Sequence, residues 1–399
     1  MKPGWRPTVS AAAEIGCATD NWLDIAAQVE PLDSLTLDAA LVQNMQRRSL
    51  GNSAGRLNFH TPTFKSYATS EIAGCGKSAW PAVSITGGDC KLQCDHCKAK
   101  ILEPMIPART PAELWRVVRE QIDGGAQGML LTGGSNHRNE VEYDAYYPTL
   151  RRIKDTFPEF RIAMHTALVD GDIAKRMEDS GIDAAMMDVI GAQDTISQVY
   201  HLRRSVDDFE RALECLVATR MRVVPHIVLG LHYGRLLGEW NALGIVRRHV
   251  PNAVVLVVAM PFYAPLSRPF ATPDSAEVGR FFMDARAALP DIPLLLGCAR
   301  PPGFARMEID SYAVMAGLNG IAHPADGMVE LAARLGREVR VTPACCSIAM
   351  GDEVMAIDAD NAGLEIDIQR LIAGERKRRG SLGGIKVVTA GTADGGCRG

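Results

Sequence analysis

The sequence predicts an α/β fold, a (β/α)8 barrel with an N-terminal extension and a C-terminal segment. Between residues 81 and 324, short β-rich apolar runs alternate with polar amphipathic stretches, the signature of parallel βα units. Eight such runs occur, at 82–86, 128–132, 161–165, 184–189, 223–229, 253–260, 293–297 and 320–323. The length agrees: 399 residues are far more than one usual domain of roughly 150, yet α/β barrels spend about 250 on a single domain.

The helices between the runs carry their own start and stop signals. Thr110 is a cap, Pro111 suits the first turn, Glu113 completes a capping box and Gly124-Gly125 stops the helix. Leu114, Val117, Val118 and Ile122 fall on one face of it. A second helix starts at Ser205, with Phe209, Ala212, Leu213 and Leu216 as its apolar stripe. The flanks are read as an N-terminal extension packed on the barrel (1–80), the barrel itself (81–336), and a C-terminal segment with a Cys pair and a loose tail (337–399). The extension holds one amphipathic helix over 37–48, then an irregular stretch through Asn58-Phe59-His60-Thr61-Pro62-Thr63-Phe64-Lys65. The C-terminal segment begins with a strand at 338–341 and holds a helix over 363–373, followed by the basic run Glu375-Arg376-Lys377-Arg378-Arg379, read as solvated tail.

Composition excludes several classes of function. With 47% hydrophobic and 23% charged residues the chain has material for a large core, which excludes wholesale disorder. Lys and Arg number 43 against 47 Asp and Glu, a formal charge of −4, so there is no basic excess to bind a nucleic-acid backbone. The longest apolar run, 253–261, is far shorter than the ~20 residues of a membrane-spanning helix. The amino terminus, Met-Lys-Pro-Gly-Trp-Arg, does not lead into a secretory signal, and a cytoplasmic location is expected. The 10 Cys lie in uneven clusters in a long chain, which favours metal or redox chemistry over a disulfide framework.

The densest cluster follows the first run: Cys90-Lys91-Leu92-Gln93-Cys94-Asp95-His96-Cys97, three thiols spaced by three and then two residues. A structural zinc site closes with four protein ligands, and no fourth Cys or His follows at finger-like spacing, although His96 lies inside the loop. Three thiolates suit a four-iron four-sulfur cluster with one iron left open. On this motif the chain resembles the radical S-adenosylmethionine enzymes, whose fold is a barrel of the TIM type. The resemblance implies that the open iron binds the amino and carboxylate groups of S-adenosylmethionine, and that reductive cleavage yields a 5′-deoxyadenosyl radical. His96 stands where that family usually has an aromatic residue near the adenine.

Active-site residues of such barrels lie at the carboxyl ends of strands, and matching residues recur there. Thr132-Gly133-Gly134-Ser135 resembles the Gly-rich motif that receives the methionyl amino group. His165 ends the third run. Asp188 is placed like the carboxylate that takes the ribose hydroxyls, and Arg204 resembles the Arg that pairs with the methionyl carboxylate. The fifth run, through His226 to Gly230, resembles the segment that approaches the adenine. Singly each has a plain structural reading, a βα turn or a satisfied buried group; their shared rim joins them.

A second set of thiols, Cys298 in Gly297-Cys298-Ala299-Arg300-Pro301 and the pair in Cys345-Cys346-Ser347, is expected at the same rim. They read either as buried small hydrophobes or incidental thiols, or as ligands of a second, auxiliary iron-sulfur cluster, with Ser347 or a nonprotein ligand on its remaining iron. Cys17, Cys75, Cys215 and Cys397 have no comparable context. From about Arg56 to Cys346 the chain is similar to biotin-synthase-related radical proteins, above all to subunits of the two-component, archaeal-type lipoyl synthases. Pro62-Thr63-Phe64-Lys65, Val83-Ser84-Ile85-Thr86-Gly87, His165 to Asp170, Val224-Pro225-His226-Ile227, Gly230-Leu231-His232-Tyr233-Gly234-Arg235 and both thiol motifs carry this likeness. It implies a sulfurtransferase acting on an octanoyl chain linked to a carrier-protein Lys, with a paired homologous subunit and a ferredoxin or flavodoxin as electron donor. The long flanks, and the absence of the Cys pattern of single-chain lipoyl synthases, depart from the pattern. Two alternatives stand beside it: biotin-synthase-like sulfur insertion, or another radical modification, on a free small molecule, and a noncatalytic iron-sulfur partner subunit.

Overall fold

Parallel strands separated by helices place every strand's carboxyl end on one side, and that is how the apolar runs of this chain assemble. The computed structural model describes residues 21–49, 55–62, 69–72, 80–261, 264–342 and 344–348. The strands are β1 (Leu57–His60), β2 (Ala82–Ser84), β3 (Ile106–Pro107), β4 (Gly128–Thr132), β5 (Arg161–His165), β6 (Ala184–Asp188), β7 (Arg222–Leu229), β8 (Val254–Val258), β9 (Leu294–Leu296), β10 (Gly320–Ala322) and β11 (Val339–Thr342). They form one 11-stranded sheet in the order β11-β1-β10-β9-β8-β7-β6-β5-β4-β2-β3. Every pairing within it is parallel.

The two faces of the sheet divide the core. Ala163, Ala184, Met186, Val224, Val255, Leu295 and Ala322 pack with Trp80 on the inner face. Their neighbours along the strands, among them Ile162, Ala185, Met187, Val223, Leu256 and Ile321, join the larger core under the helices. This is the two-residue alternation of a strand with apolar partners on both sides. Helix Pro111–Asp123 starts at Thr110, whose hydroxyl accepts the Glu113 N–H at 3.2 Å, and buries Leu114, Val117 and Val118. Helix Val206–Val217 has a full capping box between Ser205 and Asp208 and buries the expected stripe.

All eight expected barrel strands are present within one or two residues of the expected bounds. The expected α/β barrel fold is borne out as a curled partial barrel: among the described residues β3 and β11 end the sheet and do not pair with each other. The N-terminal extension is also more than a packed flank. Leu57–His60, of which Asn58 to His60 were expected to be irregular, is β1, inserted between β10 and β11, with Leu57 and Phe59 fully buried on the helix side. Its alternate residues, Asn58 and His60, are polar, which hides a four-residue strand from a hydrophobicity reading. The helix expected at 37–48 is observed as Ala39–Ser49 and the strand expected at 338–341 as β11. The expected helix at 363–373, the basic run, and Cys17, Cys75 and Cys397 lie outside the described residues.

Candidate functional site

The carboxyl ends of the strands surround a cavity of about 310 Å³. Its first wall is the turn after β2, which holds Cys90, Cys94 and Cys97. Thr86 ties this turn to the next loop: its hydroxyl donates to the Asp89 carbonyl at 2.8 Å and accepts the Gly134 N–H at 2.8 Å. Lys91 N–H donates to the Ser135 carbonyl at 3.0 Å, and the Cys90 thiol lies 3.7 Å from the same oxygen. A Cβ on Gly134 would stand 2.0 Å from the Asp89 carbonyl oxygen and 2.6 Å from Cys90 Cα, so only glycine lets the two loops meet.

Asp95 holds the far end of the thiol turn. Its carboxylate is buried and accepts from Lys98 Nζ at 2.6 Å, His201 Nε2 at 3.0 Å and the Tyr233 hydroxyl at 3.1 Å, with Arg268 at 3.6 Å. Burial works to raise its pKa, but these donors outweigh burial and hold it below the ordinary value. The turn is bent sharply, with Gln93, Lys98 and Ala99 at φ of 50°, 45° and 62°, conformations that non-glycine residues adopt rarely. Burial drives the Cys94 thiol well above its ordinary pKa, and the neighbouring Cys97 and Cys90 add to the rise. Burial opposes ionisation of Cys97 as well, yet His96 beside it brings that thiol below the ordinary value.

The floor is made by adjacent strand ends. His165 closes β5 and Asp188 closes β6, with His165 Nε2 3.6 Å from Asp188 Oδ1. In β7 the His226 ring is 5.3 Å from the His165 ring, and its Nδ1 lies 3.1 Å from the Val224 carbonyl. Burial would raise Asp188, but the hydrogen bond from His165 and the facing His226 and His96 hold it at about 2. His226 falls to about 4 through burial and the neighbouring His165, so it stays neutral; Nδ1–H donates to Val224 and Nε2 is left as an acceptor. Tyr200, which the sequence reading did not single out, donates its hydroxyl to Asp188 Oδ2 at 3.4 Å and sets its ring 5.1 Å from His96.

In the same cavity, Cys298 follows β9, and Cys345 and Cys346 follow β11. Cys345 is lowered to about 7 by a hydrogen bond from Cys346, which is itself pushed up by that bond and by burial. The described cysteines are free thiols. The lining also includes the aliphatic side chains of Met186, Val228, Val255, Val257 and Met260.

The cavity therefore brings together Cys90, Cys94, His96, Cys97, Thr132, Gly133, Gly134, Ser135, His165, Asp188, His226, Cys298, Cys345 and Cys346. Two sequence candidates do not line it. Arg204 is turned to the Glu140 carboxylate, Nη2 to Oε1 at 3.3 Å. Gly230, at φ 75°, makes a bend in which a Cβ would meet Pro273 at 2.4 Å, and its N–H donates to the buried Glu239 carboxylate at 3.0 Å. Asp95 was legible as an acid inside the thiol motif; Tyr200 had no signal in the sequence.

Residues 84–235 match the family model described as Radical SAM superfamily. No curated protein matches the chain. Among solved structures it is similar to HydG, a maturase of the FeFe-hydrogenase, with TM-score 0.51 and 14% identity over 76% of this chain and 68% of that one. It is also similar to methylornithine synthase PylB, with TM-score 0.47 and 14% identity over 90% of this chain and 96% of that one. A third is SuiB of Streptococcus suis bound to S-adenosylmethionine, with TM-score 0.40 and 10% identity over 69% of this chain and 54% of that one. At this identity the likeness to HydG is one of fold.

That superfamily implies a four-iron four-sulfur cluster and S-adenosylmethionine, and the residues present fit both. Among the described residues no three His, Cys, Asp or Glu converge on one point as a single metal ion requires. The three thiols of the β2 turn share a cavity wall instead, an arrangement suited to ligands that each take a different iron of a cluster. His96 Nδ1 is buried at that wall without a hydrogen-bond partner among the described residues, and Gly133 and Gly134 line the cavity with backbone, in places where a Cβ would run into Ile85 or into Asp89 and Cys90.

Proposed function

We propose, from the radical SAM superfamily domain at residues 84–235, that this chain is a radical S-adenosylmethionine sulfurtransferase, one half of a two-protein lipoyl synthase. Its substrate would be an octanoyl chain on a carrier-protein Lys, its partner a homologous subunit, and its electron source a ferredoxin or flavodoxin. The observation that carries the reading is one cavity lined by both sets of three thiols and by aliphatic side chains.

Cys90, Cys94 and Cys97 would hold the radical cluster. When bound, that cluster supplies the electron that cleaves S-adenosylmethionine into a radical able to take hydrogen from an unactivated carbon. The Thr132 to Ser135 turn would receive the methionyl amino group. Asp188, kept ionised by its His neighbours, would accept the ribose hydroxyls, and neutral His226 would offer Nε2 as an acceptor. Met186, Val228, Val255, Val257 and Met260 would pack against an alkyl chain and keep water from it. Cys298, Cys345 and Cys346 would hold a second cluster as the sulfur source. Arg204, bonded to Glu140, takes no role here.

Iron content and Mössbauer spectra of anaerobically reconstituted protein test the reading. Two four-iron clusters in the wild type and one in the Cys90→Ala/Cys94→Ala/Cys97→Ala variant support it, and a single cluster in the wild type overturns the sulfur-donor part. With reductant, the partner subunit and octanoylated carrier, sulfur should appear on the carrier by mass. Sulfur on a free small molecule instead identifies the biotin-synthase-like alternative, and absence of 5′-deoxyadenosine the noncatalytic one.

A further inference from the structure

The residue two beyond Cys298 is Arg300, and its side chain is 1% exposed. A guanidinium this close to a thiol site has two possible uses: it can face the cavity and touch what binds there, or it can be spent on the protein. Both terminal nitrogens of Arg300 are spent on hydrogen bonds. Nη2 donates to Asp310 Oδ2 at 3.0 Å, and Nε stands 2.5 Å from Oδ1 as an ionic contact outside hydrogen-bond geometry, with a carboxylate that is fully buried. Nη1 donates to the Gly297 carbonyl at 2.6 Å, and Nη2 donates also to the His323 carbonyl at 2.8 Å.

These bonds join the parts of the rim that carry the second thiol set. Gly297 is the residue before Cys298. His323 follows β10 and sits in the left-handed region at φ 50°, with its carbonyl accepting from both Arg300 and Arg306. Its N–H donates to the His60 carbonyl at 2.7 Å and its Nε2 to the Pro62 carbonyl at 2.9 Å, at the end of β1, which pairs with β11 just before Cys345. Asp310, on helix Phe304–Met315, accepts in addition the Ala325 N–H at 2.7 Å. One buried ion pair thus fixes the backbone beside Cys298 directly and, through His323 and β1, the strand that leads to the Cys345-Cys346 pair.

We propose that Arg300, held by Asp310, is a positioning residue that sets Cys298 against Cys345 and Cys346, rather than a group that touches the bound cofactor or substrate. This rests on the reading of the three thiols as one site. Arg300→Lys keeps the charge but cannot donate in the same plane to Asp310, Gly297 and His323 together.

The test is peptide-mapped alkylation of iron-free full-length protein, alongside site-resolved iron in the reconstituted protein. Arg300→Lys is expected to raise the labelling rate of Cys298 about tenfold, to leave Cys90, Cys94 and Cys97 at wild-type rates, and to lose iron from the second site only. Unchanged labelling of Cys298, or an equal rise at all thiols, overturns the inference. Should Arg300→Lys not fold, the Arg300→Met/Asp310→Leu pair removes both charges together, which buried ion pairs often tolerate, and is read by the same criteria. A wild type that takes up one cluster overturns the sulfur-donor reading, while the labelling still decides whether Arg300 positions Cys298.

Discussion

The two thiol-bearing walls of the cavity are built in opposite ways. Cys90, Cys94 and Cys97 lie on one turn, held by Thr86, the Gly134 contact and the Asp95 carboxylate, so three ligand positions come from eight consecutive residues. Cys298 and the Cys345-Cys346 pair follow different strands, β9 and β11, with β1 inserted beside β11 and Arg300 tying the end of β9 to the turn after β10. A site made from one turn can form with the turn; a site made from two distant chain segments exists only in the finished sheet.

The largest effects should separate the walls outright. Replacing Cys90, Cys94 and Cys97 together with Ala should abolish S-adenosylmethionine cleavage, measured as 5′-deoxyadenosine, while the iron proposed for Cys298, Cys345 and Cys346 should still be taken up. Asp310→Ala strikes the other wall. It leaves the Arg300 charge buried without its partner, and breaking a buried pair from one side costs about 3–5 kcal/mol. Denaturant unfolding should show that loss, and a loss under 1 kcal/mol would mean the pair is not what joins the second wall.

A smaller, pH-dependent effect comes from His60. It is fully buried on the inner side of β1, no partner among the described residues meets either ring nitrogen, and burial lowers it to about 4. The unfolded chain binds a proton there below about 6.5. The folded state therefore loses stability as pH falls from about 6.5 to about 4, by up to about 3 kcal/mol, and loses no more below that. Thermal unfolding from pH 7 to pH 4 should be flatter for His60→Leu than for the wild type; parallel curves would remove His60 from the acid sensitivity of the β1 side.

The same contrast explains what was legible in the sequence. The first wall and the eight apolar strands could be read because each signal is local: a thiol spacing, a β-branched run, a capping residue. β1 could not, since half of its residues are polar and its partners lie at the other end of the chain. β3 is two residues ending in Pro107, too short for any pattern. Arg204 has the chemistry for a carboxylate, and the carboxylate it finds is that of Glu140, on another loop. Arg300 was visible only as part of a motif, because its meaning lies in Asp310 and in the His323 carbonyl.

The smallest effect should come from the support of the first wall. Asp95→Asn keeps a buried acceptor for the Tyr233 hydroxyl but gives up the charge that Lys98, His201 and Arg268 share. Those partners are 30%, 42% and 57% exposed, so water screens most of what is lost, and the cost in stability should be about 1 kcal/mol. Position should suffer more than stability. The bent turn through Gln93, Lys98 and Ala99 loses its anchor, so iron at Cys90, Cys94 and Cys97 should be taken up more weakly while the second site is unaffected, the mirror image of Arg300→Lys. If Asp95→Asn instead weakened both sites equally, the two walls would be coupled through the sheet, and the independence drawn from their construction would be wrong.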